Sequence, residues 1–133
     1  MPAALALGAL AALAGVAAAA GADFIRVNVH TGAMLTDQGI IEGKAWDTLC
    51  YRRSLTAEVA IAADVMVKHA APLGTQTLED QASDAYGRGG ASALILSGAG
   101  TGKAADPEDF RRARKALPKA PLIIGSGLRE ADM

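Results

Sequence analysis

The 133-residue sequence predicts an α/β domain built on a single parallel sheet. Short runs rich in Val, Ile and Leu alternate with helical stretches in the order α-β-α-β-α-β-α-β, and one helix-to-strand joint occurs twice, at Gly21-Ala22-Asp23 and at Gly89-Gly90-Ala91-Ser92. The glycine-punctuated loops all follow strands. Right-handed crossovers put those loops at one edge of the sheet, where ligands bind in open α/β sheets and closed barrels alike.

Composition narrows the partners. A formal net charge of -1 and a pI near 6.1 provide no overall field that recruits nucleic acid or an anionic membrane. Small molecules and proteins are the expected partners. The lone Cys50 cannot close an internal disulfide and falls in a predicted helix as a small, partly buried side chain, which fits a reducing cytoplasm. Aromatic residues make up 4%, which points to closely packed helices over strands.

The first 22 residues carry no charged side chain and include twelve alanines. No Lys or Arg precedes the apolar run, as a secretory leader requires, so a core helix over 1–21 is favoured over a secreted or anchored protein. Leu5, Leu7, Leu10, Leu13 and Val16 fall on an arc of about 200° and predict a wide buried stripe. Gly21 stands where a left-handed cap ends the helix.

Asp23 to Val29 predicts the first strand. Ile25, Val27 and Val29 form its apolar face, and Arg26, Asn28 and His30 form an ionisable row on the other. His30 to Gly43 predicts a long loop and Lys44 to Leu55 a helix marked by Trp46, Leu49, Cys50 and Leu55. In the second strand, Val59 to Val67, shared parity makes Asp64 and Lys68 face the same way if the extended run continues, with His69 next. The segment AAPLGTQT predicts another loop, after which Thr77 and Asp80 cap a helix running to about Tyr86. Leu94 to Leu96 gives the third strand. Asp106 and Pro107 open a helix whose Arg111, Arg112, Arg114 and Lys115 form a solvated face, since no aromatic platform is interleaved with them. Leu122 to Ile124 gives the fourth strand, and Gly125-Ser126-Gly127 follows it.

Two motifs resemble phosphate loops without completing them. The run SGAGTGK has Ser97 where a P-loop needs glycine and Ala104 where it needs Ser or Thr, and Gly102 comes one residue too early for a dinucleotide fingerprint. What remains is a loop whose backbone N–H groups, with the Ser97 and Thr101 hydroxyls, surround an anion or simply turn the chain. Gly125-Ser126-Gly127 has the same two readings, strengthened by its place after a late strand. Arg26, Asn28, His30, Asp64, Lys68 and His69 are the acid/base inventory, and a buried Arg26–Asp64 pair with hydrogen-bonded histidines is the structural alternative. No short ligand spacing supports a metal through His30, Asp64 and His69.

The segments GADFIRVNVHTGAMLTDQGIIEG, ADVMVKHAAPLG, SGAGTG with its following DPED, and PLIIGSG together resemble the BtpA/SgcQ family, and the resemblance covers nearly everything from Ala3 onward. It implies a TIM barrel belonging to a family of predicted enzymes of uncertain substrate. SgcQ-type members are linked to sugar metabolism, and a cyanobacterial member is linked to photosystem I biogenesis at the thylakoid surface. Residues 1–133 then form one partial barrel domain whose strands correspond to the fourth to seventh of eight, since a full barrel takes about 250 residues. An open half-barrel leaves two edges and an inner face exposed, so self-pairing into a homo-oligomer or dependence on further sequence is expected.

The resulting expectation is a phosphorylated sugar or nucleoside derivative bound at the C-terminal rim of the strands. Ser126, Gly127, Thr101 and Gly102 hold phosphate, Asp64 and Lys68 handle protons, and Asn28 and His30 orient the substrate. His69 joins the candidate catalytic set, and Thr31, Asp37, Ser97 and Gly125 complete the substrate-binding set. No cofactor is assigned. The alternative is a non-catalytic assembly factor that contacts photosystem I components through its surface, cytoplasmic with peripheral attachment to the thylakoid.

Overall fold

The computed structural model describes residues 9–98 and 103–128. Its elements are α1 (Ala9–Ala19), β1 (Phe24–Val27), β2 (Ala33–Thr36), β3 (Gly39–Glu42), α2 (Ala45–Ser54), β4 (Ala60–Val65), β5 (Ala70–Pro72), α3 (Leu78–Ser83), β6 (Ala93–Ser97), α4 (Pro107–Ala116) and β7 (Leu122–Ser126), with a π-helical turn at Asp84–Arg88 after α3. Strands β1, β4, β6 and β7 form a parallel four-stranded sheet in that order, with helices between them in sequence. This is an arc of a TIM-like barrel.

Period-two alternation sorts the sheet into two faces. Ile25 and Val27, then Ile61, Ala63 and Val65, then Leu94 and Leu96 are buried under the helices and form the core. The opposite face carries Arg26, Asp64, Ile95 and Ser97. Phe24 and Ile123 on that face are 57% and 42% exposed, and among the described residues β1 and β7 are each paired on one side only.

The helix ends follow the capping signals. Gly21 takes φ +69, Gly90 takes φ +61, Thr77 and Asp80 close a reciprocal capping box, and the Asp106 side chain accepts from the Glu108 N–H ahead of Pro107. Arg112 forms two 2.7 Å bonds to Glu79, and Arg114 donates to the carbonyls of Pro118 and Ala120, so these two of the three arginines of α4 are tied to neighbouring segments.

Several expectations are corrected. The loop predicted over His30 to Gly43 contains the hairpin β2–β3, and the loop after His69 contains β5. Together these make an antiparallel sheet in the order β3-β2-β5. Alternation was short there, four residues per strand, and β5 has no apolar run to signal it. The first two parallel strands are also shorter than predicted, and the last two are longer, Ala93–Ser97 and Leu122–Ser126. β1 stops at Val27, and β4 stops at Val65 because Met66 adopts φ +56.

The stripe expected on α1 is reversed where the structure describes it. Leu13 and Val16 are 41% and 65% exposed, whereas Ala14 and Ala17 are buried. Leu5, Leu7 and the side chain of Leu10 lie outside the described residues. Small side chains let the helix approach closely: a methyl on Gly15 would lie 2.6 Å from the Tyr51 hydroxyl. On α2, Trp46 and Cys50 are exposed and Thr48 is the buried residue, its hydroxyl donating to the Lys44 carbonyl at 2.9 Å.

Candidate functional site

The rim is assembled by three local departures from regular structure. The first is at the end of β4, where Met66 and His69 both take left-handed backbone angles, φ +56 and +55, on either side of Lys68. Such angles cost about 1–2 kcal/mol in a residue with a side chain. Gln81, buried on α3, accommodates the first: its amide oxygen accepts from the Met66 N–H and its nitrogen lies 3.3 Å from the Met66 sulfur. The turn carries Lys68 across the top of the sheet to Ser126 on β7, where Nζ donates to Oγ at 2.5 Å.

The second departure is a bulge. Leu96 pairs with Ile124, but Ser97 pairs with Ser126, so Gly125 is the extra residue on β7. Strict alternation would send Ser126 to the helix face with Leu122 and Ile124. The bulge re-aims it toward Lys68. Gly125 is required at this point, because a methyl there would meet the Ser97 hydroxyl, the Ile95 side chain and, at 3.4 Å, Arg26 Nη2.

The third is the return of the chain at residues 103–105. A methyl on Gly127, which has φ +82, would come within 2.8 Å of Ala104 Cα. This backbone therefore packs directly on the end of β7.

Beneath the Lys68 bridge lies a cavity of about 170 Å³ lined by Arg26, Asn28, Asp64, Lys68 and Ser97. Arg26 grips Asp64 with two bonds of 3.1 and 2.9 Å, and the Ser97 hydroxyl is buried with no hydrogen-bond partner among the described residues. An unpaired hydroxyl beside an ammonium group and a second hydroxyl is suited to an anion with several acceptor oxygens. A second cavity, of about 590 Å³, adjoins the first and shares Met66, Val67, Lys68 and Ser97 with it. Its further wall comes from the hairpin and β5, including Met34, Leu35, Asp37 and Pro72. Asp109 also lines it, with its carboxyl raised above the ordinary aspartate range first by burial and then by the charge of Asp106.

The candidate residues therefore divide. Asn28, Asp64, Lys68 and Ser97 share the small cavity, Ser126 bonds to Lys68, and Gly125 and Gly127 shape that corner. Asp37 and His69 line the adjoining cavity. Thr101 and Gly102 lie outside the described residues.

His30 and Thr31 are not at this rim, which corrects the ionisable row. Once β1 ends at Val27 the parity is lost, and His30 turns into the protein, 2% exposed, with Nε2 2.7 Å from the Gly89 carbonyl oxygen. Burial holds its pKa below the ordinary histidine value against the raising effect of the Gly89 bond, and the Arg52 charge adds to the lowering. His30 and Thr31 line a separate hollow with Trp46 and Arg88. Gln81 and the hairpin wall are the parts that sequence reasoning missed. Gln81 reads as an ordinary polar residue one turn into a helix, and nothing local marks its partner.

A further hollow, of about 720 Å³, lies at the opposite edge among Asp23, Val59, Ala60 and Ser92. It sits at the N-terminal ends of the strands, the edge that in (β/α) barrels serves stability.

A barrel-type parallel sheet with its polar side chains gathered at the strand C-termini defines the class of this protein. The chain belongs to the BtpA family, whose model matches residues 4–133. It is 52% identical over 118 residues to the photosystem I biogenesis protein BtpA of Synechocystis, a match that covers 89% of this chain and 41% of the relative. It is 45% identical over 112 residues to an uncharacterized protein of Thermococcus kodakarensis, covering 84% and 42% of the two chains. An uncharacterized mitochondrial protein of Caenorhabditis elegans is 38% identical over 116 residues, covering 85% and 41%. The chain thus spans about two-fifths of the length of these relatives. No solved structure matches it. Among the described residues no helix is long and apolar enough to cross a membrane.

Proposed function

We propose that this chain carries the rim of a BtpA-family barrel and binds a phosphorylated small molecule there. Lys68 and Ser126 grip the phosphate, with the Ser97 hydroxyl as a third donor. The observation that carries this reading is the Lys68–Ser126 contact of 2.5 Å beside a buried hydroxyl that lacks a partner among the described residues. A phosphate oxygen inserted at this corner takes one donor from each of the three groups. The Arg26–Asp64 pair forms the cavity floor, and its ionised carboxylate fixes the guanidinium while Asn28 offers an amide at the edge. Lys68 is also the group best placed to supply or accept a proton at the bound phosphoryl group or its leaving oxygen.

Calorimetric titration of the full chain with ribose 5-phosphate tests this. Lys68→Ala removes a charge-assisted bond worth about 1.5–3 kcal/mol, a loss of affinity of about 10- to 100-fold. Ser126→Ala removes a neutral one worth about 1 kcal/mol, or about fivefold. Because the two groups touch, the double variant loses less than the sum of the single losses. Affinity unchanged in both single variants would dismiss the phosphate site.

A second reading rests on the 52% identity to the Synechocystis protein: the chain serves photosystem I biogenesis through its surface. In that case a complex with photosystem I components survives combined alanine substitution of His30, Lys68 and His69 and is lost when exposed helix faces are altered. Co-purification of these variants from a photosynthetic host distinguishes the readings.

A further inference from the structure

The cavity beside the phosphate corner carries information about the rest of the ligand. From its lining we infer that the ligand is a nucleoside-type monophosphate, with a flat heteroaromatic group seated between the β2–β3 hairpin and the end of β4, rather than a sugar phosphate. This rests on the phosphate reading above and extends it to substrate class.

Three observations support the choice. The two cavities share Met66, Val67, Lys68 and Ser97, so a phosphate held at Lys68 leaves its ester group pointing into the larger space. That space, about 590 Å³, is of ligand-pocket size, whereas the phosphate corner, about 170 Å³, has little room for more than the anion. The walls are the decisive feature. Met34, Leu35, Met66 and Pro72 present thioether and aliphatic surface, which covers the faces of a planar ring but leaves the hydroxyls of a sugar without partners. A sugar ring needs polar groups all round its edge; a base needs them at a few edge positions.

The polar groups divide between the Lys68 end, which has Ser97, His69 and Gln81 near it in the lining, and two acceptors on the further wall. Asp37, in the turn between β2 and β3, and Asp109, on α4, are carboxylates, and Thr36 spends its hydroxyl on the Gly39 carbonyl at 2.8 Å. Carboxylates accept from ring N–H and exocyclic amino groups, and they repel a second phosphate. A cation at one end and the two carboxylates Asp37 and Asp109 in the wall therefore fit a monophosphate with a donor-bearing base. The hairpin is the element that sets specificity, and its turn residue Asp37 is the contact that reads the base edge.

The test is calorimetric titration of the full chain with inorganic phosphate, ribose 5-phosphate and adenosine 5′-monophosphate. The wild-type chain is expected to bind the nucleotide at least tenfold more tightly than ribose 5-phosphate. Leu35→Ser removes apolar wall on the hairpin, and Pro72→Ser does the same on β5. Each is expected to erase most of that tenfold gain and leave ribose 5-phosphate binding unchanged. Equal affinities for the two esters in the wild type, or a gain that persists in both variants, overturns the nucleoside assignment while leaving the phosphate corner intact. Failure of all three probes to bind overturns both.

Discussion

His30 makes the stability of this fold depend on pH in a way that can be separated from every other group. The ring is 2% exposed, Nε2 lies 2.7 Å from the Gly89 carbonyl oxygen, and Nδ1 is buried with no partner among the described residues. The neutral ring satisfies this geometry by donating from Nε2. A second proton would place a charged N–H at Nδ1 with nothing to accept it, near the Arg52 cation. The folded pKa is therefore below that of the unfolded chain, about 6.5. The sign follows: above about 6.5 both states are neutral and His30 contributes no slope, while below it the unfolded chain takes up a proton that the folded one refuses. Stability then falls with decreasing pH by at most about 1.4 kcal/mol per unit until the folded ring itself titrates. Urea unfolding between pH 7.5 and 5 measures this, with His30→Gln as the control that keeps a donor but cannot titrate. The exposed His69 and the carboxylates affect both proteins alike. The wild-type slope should exceed that of the variant as the pH falls from about 6.5 towards about 5.5, reaching about half of this limit at pH 6.5 itself; equal slopes would refute the burial of a neutral His30.

Two further predictions concern other elements. Gly125→Ala drives a methyl into the Ser97 hydroxyl and the Ile95 side chain, and should cost about 1–3 kcal/mol of unfolding free energy, read by thermal or urea denaturation. A neutral result would mean that β7 is not bulged against β6 at this point. Glu79 is held by Arg112 at a pKa of about 2, so its side-chain carboxyl carbon, followed by NMR, should titrate well below the ordinary glutamate range and return to it in Arg112→Ala.

How much of this was legible in the sequence depended on whether the signal was local. The four parallel strands were visible because Ile61, Ala63 and Val65, and Leu94 and Leu96, are buried by a sheet that period-two patterning describes well. Caps were visible because Thr77 with Asp80, and Asp106 with Pro107, bond within one turn. The hairpin was hidden. Its strands are four residues long, and the pairing of β2 with β5 joins residues more than thirty apart in sequence, such as Leu35 and Ala71. α1 misled because leucines were assigned to the core, whereas close helix packing selected Ala14, Gly15 and Ala17.

The site was legible to a similar depth. Asp64 and Lys68 do line one cavity, but the extended run on which their shared parity depended ends at Val65, and the turn at Met66 brings Lys68 there instead. The same parity failed at His30, because β1 ends three residues earlier and the chain turns inward. Separate roles for Lys68 and Ser126 were expected, and the contact between them makes their effects interdependent. That contact depends on a bulge at Gly125 and on Gln81 holding Met66, neither of which has a sequence signature of its own.

Amide chemical-shift mapping of the full chain on titration with ribose 5-phosphate tests the rim site most directly. Shifts should concentrate at residues 64–69, at Ser97 and Gly98, and at 125–127, and be absent around residues 52–60 at the opposite edge. Shifts centred on that opposite edge, or spread evenly over the charged helix faces, would contradict a phosphate site built from the C-terminal ends of these strands.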